Sequence, residues 1–369
     1  MKILCANPSK QFLSYQDDIE AAVVRVLRGS QYVLGEEVSS LESEFAEFIG
    51  TEHAIGVANG TDALELALRA LNVGPGDEVI TVSHTAVATV AAIHAVGAVP
   101  VLADIKLNTY TIDSGQLKTL VSPKTKALIA VHIYGHPVDL DAVEGFCKAH
   151  KIHLIEDASQ AHGAYWKGQK IGTFGVINCF SCYPTKNLGA IGDAGLITTN
   201  SQELNAKIRM LREYGWKDRY ISQIPGRNSR LDELQAAILR IKLRHLSADN
   251  SKREAIALRY SNGIKNSLVS LPFIDGHAKP AYHLYVLRAL NRDALLEHLR
   301  ANNVYPGIHY PVPIHLQPAY KNNIRIASSM NVTESVASQV ISLPIYPELD
   351  FDSVDFVIQL INSFSFCRN

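Results

Sequence analysis

From about residue 50 to residue 157, apolar runs of strand length alternate with stretches of helical length, and this alternation constrains the fold more than any other feature of the chain. "EHAIGVAN" leads into "GTDALELALRAL", "DEVITVS" into "TAVATVAAIHAVG", "VPVLADI" into a short helix around "SGQLKTLVS", and "KALIAVHIYG" into "DLDAVEGFCKAHK", with "IHLIEDAS" as the next strand. Strands that are apolar nearly throughout, each followed by a helix, predict an α/β fold with a mainly parallel sheet covered on both faces. "INCFSCY" and "AGLITTN" add two more strands without long helices between them, which makes a seven-stranded sheet. The pattern changes after "SQELNAKIRMLREYG". Leu231, Leu234, Ala237, Ile238 and Ile241 then recur at helical spacing within an unusually long helical stretch, as in a helix that spans two domains. "AYHLYVLRAL", "DALLEHLRANNV" and "SVDFVIQLINSF" follow it and predict a smaller C-terminal α+β domain. The expected division is a large domain over residues 1–245, with a helical segment at its start, and a small domain over residues 246–369.

Charge narrows the partners. The chain carries 35 Lys and Arg against 36 Asp and Glu, with no run of five or six like charges. Neither a nucleic-acid groove nor a polybasic membrane patch is expected, and a small ligand of mixed charge is. Five cysteines and a start without an apolar leader, "MKILCANPSKQ", predict reduced thiols in a cytoplasm. Cys179 and Cys182 form a C-x-x-C, but on a strand such positions face opposite sides, so no metal is expected there. The uncharged stretch from Thr85 to Ala103 is long enough to resemble a membrane span. Gly97, Pro100 and His94 interrupt it, and it reads instead as a core helix followed by a core strand.

In doubly wound sheets, ligands bind beyond the carboxyl ends of the strands, and four motifs fall there or close by. In "ANGTDALELAL" a strand ends at Asn59-Gly60 and a helix begins near Thr61 or Asp62. The unpaired amides and the helix dipole form a seat for phosphate, or the motif serves only as a helix cap. "LIEDASQAHGA" delivers Glu156 and Asp157 at a strand end, with Gln160 and His162 beyond. A carboxylate there can hold a cationic ring nitrogen, and an amide can bond a ring hydroxyl; a solvated strand end is the structural alternative. "SCYPTKNLGAIGDAG" places Lys186 among a proline, apolar residues and glycines. Desolvation favours its neutral, nucleophilic amine, while Gly189, Gly192 and Gly195 allow close approach of a bulky cofactor. In "GRNSRLDELQAA", Asn228 stands where a loop enters the long helix, either as a cap or as a contact serving the other three motifs.

Together these elements resemble the DegT/DnrJ/EryC1/StrS family of sugar aminotransferases, within the aspartate-aminotransferase fold type I of pyridoxal-phosphate enzymes. The resemblance covers nearly the whole chain and runs in order through "YVLGEEVSSLESEFAEFIG", "ANGTDALELALRALNVGPGDEVIT", "EDASQAHGA", "FSCYPTKNLGAIGDAG", "NSRLDELQAAIL" and "HYPVPIHLQPAY". It implies that Lys186 forms the covalent link to pyridoxal 5'-phosphate, that Asp157 holds the pyridine nitrogen and that Gln160 approaches the ring hydroxyl. It places the phosphate on Gly60, Thr61, Asp62 and Ser181. Asn228 would reach the phosphate of a neighbouring subunit, which implies a homodimer with shared active sites.

The resemblance implies a reaction in two halves. L-glutamate leaves its nitrogen on the cofactor as pyridoxamine 5'-phosphate, and a nucleotide-linked keto sugar collects it, in the making of an amino sugar for a surface polysaccharide or glycosylated product. Many relatives place an aromatic residue over the cofactor ring where "SHTAVAT" has Ala86, so His84 is a candidate to cover the ring instead. Lysine at position 186 argues against the family's dehydratase branch. "GIHYPVPIHLQPAY" offers His309, Tyr310 and His315 to diphosphate oxygens or sugar hydroxyls, or as turn anchors, and Tyr183 is a similar candidate. The helix after "VSH" and this loop incline the reading towards amination at C3. C4 amination, an aminocyclitol substrate, and a regulator that binds the cofactor without turnover are the alternatives. A dehydrogenase is disfavoured because no G-x-G-x-x-G follows the first strand.

Overall fold

In a computed structural model, which describes residues 2–326 and 329–365, the alternating segments assemble into one central sheet. Its strands in chain order are β1 (His53–Val57), β2 (Glu78–Val82), β3 (Val99–Ala103), β4 (Thr125–Val131), β5 (His153–Asp157), β6 (Ile177–Ser181), β7 (Gly195–Thr199) and β8 (Arg325–Ile326). In space they run β8-β3-β2-β4-β5-β6-β7-β1. Strand β7 lies antiparallel to both of its neighbours, and the other pairings are parallel. The first seven are the strands read from the sequence. The eighth is two residues long, comes from the C-terminal part of the chain, and pairs Arg325 with Val101 and Ile326 with Leu102. So short a segment carries no periodic signal.

Strands with both faces covered need apolar residues at successive positions, and every residue of β2 is buried. Helices Gly60–Ala70, Val87–Ala95 and Leu140–His150 supply part of that cover. The uncharged stretch from Thr85 to Ala103 is thus helix Val87–Ala95 followed by β3. Among the described residues, no helix is long and apolar enough to cross a membrane. Because β1 to β6 run the same way, residues 59–61, 83–86, 132–134, 157–160 and 181–186 all leave the sheet at one edge.

The long helix is Glu233–Gly263, 31 residues. Its first half buries Ala236, Leu239, Leu243 and Leu246 in the core around the central sheet. Its second half puts Ile256, Ala257 and Tyr260 into a separate core with Tyr285, Leu287, Ile341 and Leu343. Residues 245 and 246 therefore lie inside one continuous helix. The two cores also interleave in sequence, since Ile3 belongs to the second and Ala281, Leu284 and Val286 to the first. A helical segment near the start, Gln16–Leu27, packs Ile19, Ala22 and Val26 on Ala237, Ile238 and Ile241 of the long helix.

One carboxylate ties the start of the long helix to helix Glu36–Ile49. Buried Glu233 accepts from the backbone N–H groups of Gly35 at 2.7 Å, Glu37 at 2.9 Å and Val38 at 3.0 Å. Those amides head a helix and have no intrahelical acceptor. Removing the carboxylate leaves them unpaired, those of Glu37 and Val38 buried. We expect Glu233→Ala to lower stability by about 1–3 kcal/mol, with Glu233→Gln intermediate, read as a lower midpoint in urea denaturation.

Candidate active site

The edge where the parallel strands end opens into a cleft of about 370 Å³. Gly60, Thr61, Asp157, Gln160, Ser181, Tyr183, Lys186, His309 and Tyr310 line it, all residues singled out from the sequence. Asn59 caps helix Gly60–Ala70 by accepting from the Asp62 N–H at 2.8 Å. The amides of Gly60 and Thr61 therefore head the helix beside Ser181, an arrangement that favours an anion. A β-carbon on Gly60 would lie 2.6 Å from Ser181 Cβ, so this approach of helix to strand requires glycine.

Neighbouring residues on a strand face opposite ways, and the end of β5 shows the consequence. Glu156, fully buried, receives the N–H groups of Phe174 at 2.8 Å, Gly175 at 3.0 Å and Gly172 at 3.1 Å, and contacts His132 Nε2 at 3.0 Å. It is a structural clamp on the chain before β6. Asp157 points into the cleft. Thr89 Oγ1 donates to its Oδ2 at 2.9 Å, and the Ser159 N–H reaches Oδ1 at 3.3 Å. Thr85 Oγ1 stands 2.9 Å from Thr89 Oγ1; since the Thr89 proton is given to Asp157, Thr85 is the donor between them.

Lys186 lies in the segment joining β6 to β7. Its N–H bonds Tyr183 O at 2.8 Å, closing a turn. The long helix holds the rest of this segment: Gln235 bonds both the N–H and the C=O of Ile191, at 2.9 and 2.6 Å, and Lys242 Nζ donates to Gly189 O at 2.7 Å. Two of the glycines serve a different purpose from the one expected. A β-carbon on Gly189 would meet Pro184 O at 2.5 Å, and one on Gly195 would meet Asn59 O at 2.4 Å. They permit backbone to approach backbone, not backbone to approach cofactor. Burial pushes the Lys186 ammonium down to about 8, against the opposing pull of Asp157.

A third arm reaches the cleft from the C-terminal region. Gln160 Oε1 accepts from the Tyr134 N–H at 2.6 Å, and its Nε2 donates to Tyr310 Oη at 3.1 Å, which fixes the amide orientation. Tyr310 thereby keeps its own proton for another acceptor. Tyr134 Oη donates to His309 O and so accepts from His84 Nε2, 2.5 Å away. Tyr134 sits at φ 61°, an uncommon backbone for a bulky residue, and Gly135 follows at φ 92°. A β-carbon on Gly135 would lie 2.8 Å from Gln160 O.

Four of the sequence-derived candidates lie outside this cleft. His84 is buried under Tyr134, with its pKa lowered to about 4 by desolvation, and does not line the cleft; Thr85, Ala86 and Ala88 do. His315 ties the Ile314–Leu316 turn to the end of β2, with Nδ1 2.7 Å from Ser83 Oγ and Nε2 3.1 Å from Glu334 Oε1. Asp62 pairs with Arg227 at 3.2 Å on the flank of its helix. Asn228 is exposed and accepts from Arg230 Nε at 3.1 Å. Thr85, Thr89, Tyr134 and His283 escaped the sequence reading. An alternating T-x-x-x-T on an apolar helix was the available signal for the first two.

The depressed Lys186 pKa gives a direct expectation. A lysine with a lowered pKa becomes a free amine earlier on raising pH, so acylation of Lys186 in the protein without cofactor should be half-maximal near pH 8, where a solvated lysine needs about 10.4. Peptide mass spectrometry of the modified site across a pH series measures this. A midpoint at the solvated value contradicts it.

Proteins similar to this chain include enzymes that move amino groups. Residues 14–362 match the model of the DegT/DnrJ/EryC1/StrS aminotransferase family. The chain is 45% identical to dTDP-3-amino-3,4,6-trideoxy-alpha-D-glucose transaminase of Streptomyces venezuelae, over 90% of this chain and 88% of the relative. It is 40% identical to UDP-2-acetamido-2-deoxy-3-oxo-D-glucuronate aminotransferase of Pseudomonas aeruginosa, over 93% and 94%. The crystal structure of S. venezuelae DesV in complex with a ketimine intermediate superposes with a TM-score of 0.95 at 42% identity, covering 98% of both chains. With the fold, the strand-end cleft and these matches in agreement, the chain belongs to the DegT/DnrJ/EryC1/StrS aminotransferase family.

Proposed function

We propose that the protein is a pyridoxal-phosphate aminotransferase that takes an amino group from L-glutamate and places it on C3 of a nucleotide-linked keto sugar, for amino-sugar and surface-polysaccharide biosynthesis in the cytoplasm. The observation that carries this reading is a buried carboxylate, Asp157, lining one cleft with a lysine whose amine is easily freed, Lys186. The two relatives named above act at a sugar C3 by their names, which favours C3 over C4.

The residues present fit pyridoxal phosphate. Asp157 has its protein partners on a neutral hydroxyl and one amide, so its charge calls for a cation on the cleft side, as a protonated pyridine nitrogen provides. Gly60, Thr61 and Ser181 suit the phosphate, and Gln160 with Tyr310 suits the ring hydroxyl. Bound there, the cofactor supplies an aldehyde that links to amines and a protonated ring that accepts the electron pair of the adjacent carbon. The protein's part is positional and acid–base. Asp157 keeps the ring nitrogen protonated, and Thr89 and Ser159 hold Asp157 at its place. Lys186, once its amine is free, is a base whose proton is more easily lost than that of a solvated lysine, and would carry a proton between the two carbons that exchange it. The covering of the ring face falls to the small side chains of Thr85, Ala86 and Ala88, not to His84.

A homodimer with shared sites is part of the proposal. Asn228 lies outside its own cleft, exposed and paired with Glu213 in an isolated antiparallel bridge, and the nearby hairpin of Trp216–Asp218 and Ile221–Ser222 exposes Tyr220 and Ile221. These are features suited to contact with a second copy.

Adding L-glutamate to the cofactor-loaded protein should abolish the absorbance of the lysine-linked cofactor, and a nucleotide-linked 3-keto sugar should restore it. An unchanged spectrum would sink the aminotransferase reading. Lys186→Ala should lower turnover by roughly 10²–10⁴-fold or more, since both the link and the proton carrier are lost. Thr89→Val removes one hydrogen bond to a charged acceptor, worth about 1.5–3 kcal/mol, and should weaken cofactor binding roughly 10- to 100-fold in equilibrium titration.

A further inference from the structure

His283 lines the cleft but has no part in the scheme above. It follows the loop after residue 276 and is 6% exposed. Its Nδ1 lies 3.2 Å from Asn187 Oδ1, in the residue directly after Lys186. Asn187 Nδ2 in turn donates to Ala281 O and to Asn250 Oδ1, both at 2.8 Å, and Asn250 Nδ2 donates to His162 O at 2.8 Å.

The direction of every bond in this chain is set by two backbone carbonyls. Ala281 O and His162 O can only accept, so each asparagine must turn its NH₂ towards them and its oxygen the other way. The Asn187 oxygen then faces His283, and an amide oxygen cannot donate. His283 Nδ1 therefore carries the ring proton, and Nε2 is left as a lone pair. Burial, together with the positive neighbours Lys186 and Arg253 and the histidines His309 and His162, holds the His283 pKa well below its ordinary value. Such a ring stays neutral at physiological pH and is too weak a base to remove a proton from an ammonium outright. It accepts hydrogen bonds.

We propose that His283 is a further functional residue of this cleft, locked by Asn187 so that Nε2 accepts a hydrogen bond from the substrate nitrogen that exchanges with Lys186. The inference rests on the aminotransferase reading for the identity of that nitrogen. The geometry favours an amine over other donors because the histidine is tethered through Asn187 to the segment carrying Lys186, where the arriving and departing nitrogen must lie. An acceptor there directs an N–H away from the reacting carbon and leaves the nitrogen lone pair facing it. Tyr310, whose hydroxyl keeps a free proton, provides a donor in the same cleft, so the two side chains offer opposite polarity to a ligand.

Two measurements test this. Nitrogen NMR of protein labelled with ¹⁵N-histidine, with the His283 signals assigned by their loss in His283→Gln, reads the tautomer without any turnover. Nδ1–H with a bare Nε2 through neutral pH is expected, and Asn187→Leu should give a mixture of the two tautomers. A protonated Nε2 in the parent protein, or a ring that titrates near neutrality, overturns the lock. In single-turnover reaction of the cofactor-loaded protein with L-glutamate, His283→Leu should slow the reaction about 10-fold or more, while His283→Gln, whose amide oxygen can replace the acceptor, should retain most of the rate. Full rate in His283→Leu, or equal loss in both variants, overturns the acceptor role. If the parent protein does not react with L-glutamate at all, the aminotransferase reading fails, and the tautomer measurement still decides the lock.

Discussion

Strand β5 ends in two adjacent buried carboxylates that face opposite ways, and the site depends on the difference in how they are satisfied. Burying a carboxylate costs several kcal/mol unless hydrogen bonds or a counter-charge offset it. Glu156 is offset within the protein, by three backbone amides and a histidine. In doing so it fixes the path of residues 172–175 into β6, and hence the position of Ser181 and Lys186 at the far end of that strand. Asp157 is offset only in part, by one threonine hydroxyl, one long amide contact and the attraction of the Lys186 ammonium, which ligand chemistry at that lysine would remove. A cleft that buries a carboxylate with spare acceptor capacity selects a cation, and one that also carries a helix start selects an anion elsewhere on the same ligand. A protonated pyridine bearing a phosphate has both.

The two regions of the chain are joined at this cleft by directional bonds as well as by apolar packing. Tyr134 links Gln160, His84 and His309, and Gln160 links Tyr310. Each donor and acceptor in this ring has one permitted orientation, because Gln160 is held between a backbone N–H and a hydroxyl. Lys242 and Gln235 fix the segment carrying Lys186 to the long helix in the same manner. That helix enters both hydrophobic cores, so a shift of the C-terminal region would strain the lysine segment and the Gln160 arm together. The result is a site whose groups are oriented before a ligand arrives, which lowers the reorganisation needed on binding.

Much of this was legible in the sequence because it rests on local pattern. Buried parallel strands must be apolar throughout, and the carboxyl ends of such strands mark where ligands bind, so Gly60, Glu156, Asp157, Gln160 and Lys186 fall at one edge by pattern, while the choice of Asp157 over Glu156 and the part of Ser181 rest on the family resemblance. What stayed hidden rests on orientation or on distant pairing. His84 and Thr85 are neighbours, yet one turns under Tyr134 and the other into the cleft. His315 and His309 come from one loop, and only His309 lines the cleft. Strand β8 has two residues, below the length at which alternation can be seen. Gly189 and Gly195 read as room for a ligand, whereas the structure gives that room to the Pro184 and Asn59 carbonyls. Sequence pattern reports that close approach is needed, not what approaches.

The histidines near Lys186 complete the electrostatic argument. His162, His283 and His309 are all held below their ordinary pKa, first by burial and then by the nearby lysine. A buried histidine is usually unremarkable, but three neutral imidazoles around one amine have a collective effect. Charged, they would repel the Lys186 ammonium and compete with the ligand's cationic ring for Asp157. Neutral, they leave Asp157 free for that ring and surround the lysine with polarisable, uncharged groups of low basicity. The amine is then a stronger base than the three imidazoles, with its pKa near 8 set by desolvation against the attraction of Asp157. In the proposed reaction this suits Lys186 to carry the proton and the surrounding rings to hydrogen bonding and packing.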